Sequence, residues 1–354
     1  MSLDRMTGEL AALVGCESPT GDTGACRDLV AELGTGLLGA APQSHGEHLL
    51  WSFGAPRVLL LGHFDTVWPR GTLARWPFTV TGSRATGPGC FDMKAGLVQI
   101  FHALAGLDDL DGVAVLLTSD EETGSPSSRA LIEDTARSVA AVLVTEPSAD
   151  GALKTSRKGL ARYQLEITGR AAHSGLDPER GVNAGVELAH QTLAVAALGD
   201  AGRGTTVTPT VSSAGTTSNT VPGAARLAVD VRAYDSAELR RVDAAIHALR
   251  TVHPEAALTV ADGPRRGPLQ RSSSFGLFQL AAALATELGM PPLREASVGG
   301  GSDGNLTGAL GIPTLDGLGA VGGNAHAEGE WLDLAALPAR TELLRGLIAR
   351  LREQ

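Results

Sequence analysis

The sequence predicts an α/β protein: a mostly parallel sheet flanked by helices, split by an inserted ferredoxin-like α+β domain. Three observations carry this. Strand-length apolar runs alternate with helical patterns through the first part of the chain, as they do in parallel sheets covered on both faces. From about Gly159 the texture changes to strand, helix, strand, strand, helix, strand, which is the ferredoxin-like order. After Pro268 the first texture returns. With 354 residues, 43% of them hydrophobic, the chain exceeds one ordinary core and suggests two domains. The expected boundaries are 1–158 with 269–354 for the larger domain and 159–268 for the insert.

The elements run in this order. The N-terminal segment, with no basic stretch leading into an apolar run, reads as an amphipathic first helix rather than a signal peptide. "RVLLLGHFDT" reads as a buried strand and "KAGLVQIFHALAGL" as a helix. "VAVLLTSDEE" is a strand, "SSRALIEDTARSV" a helix and "AAVLVTEP" a strand. In the insert, "GLARYQLEITG" alternates like a half-exposed strand and "GVNAGVELAHQTLAVAAL" is a helix. "TTVTPTVSSAG" and "AARLAVDVRAY" are strands, "SAELRRVDAAIHALRTV" is a helix, and "AALTVADG" closes the unit as a strand. Beyond it come a helix near "FGLFQLAAALATELG" and a strand near "GIPTLDGL".

Composition excludes several function classes. A net charge of −10 without a basic block argues against nucleic-acid or anionic-membrane partners. Aromatic residues make up 4%, too few for a single-strand stacking platform. No apolar stretch reaches the ~18 residues of a membrane span. Cys16, Cys26 and Cys90 are odd in number and form no CxxC pair, which predicts a reduced, cytoplasmic protein with neither a disulfide framework nor a cysteine zinc site.

The chemistry-bearing residues fall at strand ends, where open α/β sheets place their ligands. Glu121 and Glu122 stand side by side after a strand, where successive side chains point in opposite directions. Two close carboxylates repel unless a positive charge lies between them, and a divalent metal supplies that charge. Other ligands are then expected at other element ends. "GHFDT" offers His63, with Asp65 two residues on to hydrogen-bond its imidazole. "GPGCFDMKAG" offers Asp92, which alternatively reads as an N-cap of the helix after it. "VTEPS" offers Glu146 and "GGNAHAEGE" offers His326. Nitrogen and oxygen ligands without sulfur suit zinc, with cobalt or manganese as alternatives.

Six motifs in order, "GHFDTV", "GPGCFDMKAG", "TSDEETGS", "TEPS", "AAHSG" and "GGGSDGN" through "GGNAHAEGEWL", resemble the co-catalytic zinc peptidases of clan MH over nearly the whole chain. That family includes glutamate carboxypeptidase, acetylornithine deacetylase, succinyl-diaminopimelate desuccinylase and peptidase T. "DTVWPRGTLARWPF" brings the chain nearest the glutamate carboxypeptidase branch. The resemblance implies a zinc-exopeptidase-like fold with two zinc ions per subunit. His63 and Glu146 would hold one, Glu122 and His326 the other, and Asp92 would bridge them, with a cis peptide to Met93. Asp65 would orient His63, and Glu121 would be the general base. The insert would be a dimerisation or lid domain. His173 of "AAHSG" would reach the partner subunit's site of a homodimer and stabilise the oxyanion. Asn219, Arg232 and Arg266 would contact the substrate's carboxylate end, with Arg265 an alternative to Arg266. Ala95 and Gly301 depart from the family pattern without removing a ligand.

The implied activity is release of a C-terminal amino acid, such as glutamate, from a small peptide or N-acyl amino acid with a free carboxylate. Removal of an N-acetyl or N-succinyl group is the alternative within the class, and a non-catalytic metal-dependent binding protein is the alternative outside it. "GLGAVG", Gly317 to Gly322, spells a dinucleotide motif, but no apolar helix comes after it. His45, His48, His102, His190, His247 and His253 are expected to have no functional role.

Overall fold

A computed structural model describes residues 2–353. The chain divides into two compact units. Residues up to Arg157, together with those from Leu269 onward, form one; Lys158–Pro268 forms the other.

The first unit is built on a six-stranded sheet. Its centre holds three neighbouring parallel strands, Val113–Thr118, Val58–His63 and Ala141–Val144, with Thr314–Leu315 joined in parallel at one edge. The strands His48–Phe53 and Gln43–His45 extend the other side antiparallel. The apolar runs are buried on both faces, as a parallel sheet requires. Val58 and Leu60 join the core that includes the helices Leu3–Gly15, Ala95–Ala105 and Leu337–Arg352. Leu59 and Leu61 point to the opposite layer, with Ile132 and Ala136 of the helix Arg129–Arg137 and Leu306 of the helix Gly304–Ala309. Parallel order brings the carboxyl ends of the three central strands to one edge. There His63 pairs with Thr118 in register.

Two glycines set the backbone at that edge. A Cβ on Gly96, at the start of the helix Ala95–Ala105, would lie 2.2 Å from the Thr145 carbonyl oxygen. A Cβ on Gly319 would lie 2.2 Å from the same oxygen and 2.7 Å from that of Glu146. The chain leaving the strand Ala141–Val144 is thus held between two segments that approach it only because they carry no side chain there.

The second unit is an antiparallel sheet ordered Thr206–Ala214, Ala224–Ala233, Gly159–Thr168, Ala257–Arg266. In chain order this is 2-3-1-4, the ferredoxin-like arrangement with the helices Ala184–Ala196 and Ser236–His247 between strands. Ala161, Tyr163, Leu165 and Ile167 are buried, and the residues between them are more exposed. The last strand runs further than its apolar pattern indicates, through Gly263 and Pro264 to Arg266. It is an edge strand with a register shift between Asp262 and Arg265, and edges and bulges tolerate Pro. The strand expected in "GIPTLDGL" shrinks to Thr314–Leu315.

Candidate metal centre

Five side chains converge at the carboxyl edge of the central sheet. His63 is the last residue of its strand. Glu146 lies two residues beyond Ala141–Val144. Asp92 sits in the wound stretch Cys90–Lys94, where it and Met93 depart from helical dihedrals and share a cis peptide bond. It caps no helix; Lys94 holds the N-cap position of the next one. His326 lies in the loop before the strand Trp331–Asp333, with a positive φ of 62°.

Glu121 and Glu122 reach the site by a different route from the one their sequence suggests. The strand stops at Thr118, and Glu121–Thr123 form a single 3₁₀ turn. Strand alternation therefore does not separate the two side chains; the turn does. Asp65 fixes that turn. Its buried carboxylate accepts the backbone N–H of Glu121 at 3.2 Å through Oδ1, and that of Glu122 at 3.2 Å through Oδ2. Thr20 Oγ1 donates to Oδ2 at 2.7 Å. The His63 Nδ1 lies 3.3 Å from Asp65 Oδ1 and 3.0 Å from the Asp65 carbonyl oxygen.

The ligand atoms fall into two groups that share Asp92. His63 Nε2 is 3.4 Å from Asp92 Oδ1 and 3.4 Å from Glu146 Oε1. His326 Nε2 is 3.3 Å from Asp92 Oδ2 and 3.1 Å from Glu122 Oε2. Around a tetrahedral ion with metal–ligand bonds near 2.0–2.2 Å, neighbouring ligand atoms stand roughly 3.3–3.5 Å apart. Three of the four distances, at 3.3–3.4 Å, match that spacing, and His326 to Glu122 at 3.1 Å is slightly shorter. Asp92 Oδ1 and Glu122 Oε1 are buried without a well-formed hydrogen bond, as expected of oxygens that serve a cation. The residues present therefore fit metal binding. Glu121 offers a carboxylate oxygen within 4.8 Å of ligand atoms on both His63 and Glu146.

The electrostatics point the same way. Asp92 and Glu122 push the His326 imidazole up to about 10. Burial opposes charge on His63, but Asp65, Asp92 and Glu146 outweigh it and raise its pKa well above the ordinary value. Burial would push the Asp92 carboxyl up, yet His326 and His63 hold it far below the usual carboxylate range. The crowded carboxylates thus favour positive charge at both imidazoles, a role that bound cations would take over.

Sequence reasoning missed several supports. The Glu330 carboxylate, fully buried, accepts N–H donors from Gly89 at 3.0 Å, Phe91 at 2.8 Å, Asp92 at 2.9 Å and the Trp68 indole at 3.0 Å. It cradles the loop that carries Asp92. Buried Lys94 donates to the carbonyls of Leu13 and Cys16 at 2.9 and 2.7 Å. Arg157 donates to Glu146 Oε2 at 2.9 Å. Single charged residues of this kind carry no periodicity. Their one signal is a charge in an otherwise apolar or Gly-rich context.

His173, Asn219, Arg232 and Arg266 all belong to the inserted unit. The two-residue strands Ala172–His173 and Thr220–Val221 pair, and Ser174 N donates to the Asn219 carbonyl at 3.0 Å, so His173 and Asn219 lie close together and exposed. Arg232 and Arg266 both pair with Leu160, from opposite sides, and so share one face of the sheet. Arg232 also meets Asp230 at 2.8 Å. Arg265 is committed to Asp243 and Asp262, both at 2.6 Å. Asp243, His247 and Asp262 are grouped closely enough for a metal, but the Arg265 guanidinium already fills that role. His48 and His102 are buried in structural bonds to Ser127 and Glu9.

Comparison with known proteins finds relatives that span most of the chain. The profile described as peptidase family M20/M25/M40 matches residues 59–350. Carboxypeptidase G2 from Pseudomonas sp. (strain RS-16) is 35% identical over 309 residues, covering 83% of this chain and 74% of that one. A succinyl-diaminopimelate desuccinylase from Xylella fastidiosa (strain 9a5c) is 28% identical over 323 residues, covering 84% of each. Among solved structures, the aminopeptidase PepT of Bacillus cereus ATCC 10987 shares the fold at a TM-score of 0.82 and 20% identity, over 99% of both chains. The M20 family metallo-carboxypeptidase Sso-CP2 of Sulfolobus solfataricus does so at 0.72 and 15%, over 99% of this chain and 100% of that one. With a profile match across most of its length and a relative this similar, the chain is a hydrolase belonging to peptidase family M20/M25/M40.

Proposed function

We propose that the chain is a two-zinc carboxypeptidase that cleaves the amide preceding a C-terminal amino acid, with glutamate as the first candidate. The observation that carries this is the division of Asp92: one oxygen faces His63, the other His326. One carboxylate so shared suits two ions side by side, with His63 and Glu146 completing one and His326 and Glu122 the other. Zinc best fits an N/O donor set of this size.

When bound, the pair of ions supplies Lewis acidity and lowers the pKa of a water towards neutrality. The remaining work falls to side chains. Glu121 takes the proton from the attacking water and passes it to the leaving nitrogen. Asp65 keeps His63 in one tautomer and holds the turn that presents Glu121. His173, contributed by the second copy of a homodimer, donates to the oxyanion. Arg232 and Arg266 grip the substrate carboxylate, for which a guanidinium is better shaped than an ammonium. The homodimer reading is supported by the exposed edge strand Thr206–Ala214, where Val211 is 69% exposed, and by Leu193, 72% exposed on the helix Ala184–Ala196. Free Cys16, Cys26 and Cys90 support a cytoplasmic setting. No helix among the described residues is long and apolar enough to cross a membrane.

Similarity to desuccinylases favours a second reading, removal of an N-acyl group from an amino acid. Relative kcat/KM on an N-acyl-glutamate, a glutamate-terminated dipeptide and N-acetylornithine separates the two. The carboxypeptidase reading expects the glutamate substrates to lead by at least about tenfold, near the 1–3 kcal/mol that a single side-chain contact supplies. A lead for N-acetylornithine contradicts it.

A further inference from the structure

Arg157 ends the strand Leu153–Arg157 and is 3% exposed. A guanidinium carries five N–H donors, and here all five are engaged. Nε donates to Asp316 Oδ2 at 2.9 Å, and Nη2 to Asp316 Oδ1 at 2.8 Å, a paired contact with one carboxylate. Nη1 donates to the carbonyls of Gly300 and Gly301 at 3.2 and 3.1 Å. The remaining Nη2 hydrogen goes to Glu146 Oε2 at 2.9 Å. With its donors filled from inside the protein, Arg157 has none to offer a substrate carboxylate.

Its acceptor Asp316 is itself fixed. Ser302 Oγ donates to Asp316 Oδ2 at 2.6 Å, and the Asp316 carbonyl accepts from Lys154 N at 2.8 Å. The guanidinium therefore stands in a rigid frame and presents one hydrogen to one oxygen of Glu146. The other oxygen, Oε1, faces His63 Nε2 at 3.4 Å. A carboxylate left alone chelates a cation with one oxygen or with both. This one has its second oxygen occupied by a fixed, charge-assisted bond.

We propose that Arg157 is a positioning residue for the ion held by His63, Asp92 and Glu146: it confines Glu146 to single-oxygen ligation and sets the affinity of that site relative to the one at His326. The proposal rests on the two-metal reading above. Partners that orient a metal ligand typically govern affinity by about 10–100-fold.

The test is a cobalt titration of the metal-stripped chain, read by visible absorption and by chelator competition, for wild type, Arg157→Lys and Asp316→Asn. Lysine keeps the charge but lacks the planar fork that pairs with both Asp316 oxygens while bonding Glu146. Arg157→Lys is expected to weaken the first site by about 10–100-fold and to change the spectrum of the cobalt bound there, while the second site shifts much less. At a chelator strength that leaves wild type with both ions, the variant keeps one. A purely structural role lowers Tm without separating the two affinities. If Arg157→Lys does not fold, Asp316→Asn loosens the frame and is expected to weaken the same site by a smaller factor. A folded variant that binds both ions as wild type does, or loses both in equal measure, overturns the proposal. A wild-type chain that takes up fewer than two ions overturns the two-metal reading, and this proposal with it.

Discussion

The buried carboxylate of Asp65 accepts the backbone N–H of Glu122 at 3.2 Å, so one side chain ties the two halves of the centre together. Its other oxygen accepts Glu121 N and faces the His63 imidazole. Asp65→Asn puts an amide where at least one acceptor is needed. It is expected to weaken metal binding by about 10–100-fold, the range found when the partner of a ligand is removed, and to displace Glu121 as well. Chelator competition and kcat on one substrate measure the two effects. Loss of kcat with metal affinity intact would place Asp65's influence on Glu121 alone.

Glu121 is expected to be dispensable for metal and necessary for turnover. Glu121→Ala should retain the metal content of wild type and lose about 10²–10⁴-fold in kcat, the span of general acid–base contributions. Metal analysis by mass spectrometry beside a rate assay decides it. Unchanged turnover removes Glu121 from the role of base.

Gly319→Ala tests the backbone support of Glu146. The added carbon meets the Thr145 and Glu146 carbonyl oxygens at 2.2 and 2.7 Å, and backbone cannot swing aside as a side chain does. A loss of about 1–3 kcal/mol is expected from such overpacking, read as a lower Tm, together with weaker metal binding. An unchanged Tm would mean that the strand end has slack.

Protons and metal compete for the two imidazoles. In the metal-free chain Asp92 and Glu122 raise His326 to about 10, and His63 is also raised. A histidine raised on folding stabilises fully below its unfolded pKa, near 6.5, and loses that contribution as pH climbs through its folded value. The metal-stripped protein is therefore expected to lose Tm between pH 7 and 10. Zinc binding at pH 7 is expected to release protons, measurable by calorimetry in buffers of different ionisation enthalpy. A stripped protein whose Tm is flat across that range contradicts the charged-imidazole account.

Much of the fold, and the residues that converge at the sheet edge, are legible in the sequence, for physical reasons. The run Val58–Leu61 is apolar on successive residues because both sheet faces are covered, and Gly159–Thr168 alternates because only one face is. His63, Glu122 and Glu146 stand out as polar residues just beyond apolar runs, and Asp92 and His326 as polar residues in Gly-rich loops. The turn at Glu121–Thr123 does not, since the strand's apolar run simply stops and nothing local specifies the geometry after it. Glu330 and Arg157 are invisible for another reason. Glu330 bonds Gly89 from 241 positions away and Arg157 bonds Asp316 from 159, and such pairing leaves no trace in a local pattern. The passage of the last strand through Pro264 depends on its being at an edge, a property of the sheet rather than of the segment.

The most direct test of the central claim is a crystal of the protein soaked in zinc, with anomalous scattering recorded at the zinc edge. The account predicts two peaks, one beside each carboxylate oxygen of Asp92, about 3.5–4 Å apart. A single peak, or none in contact with Asp92, would contradict it.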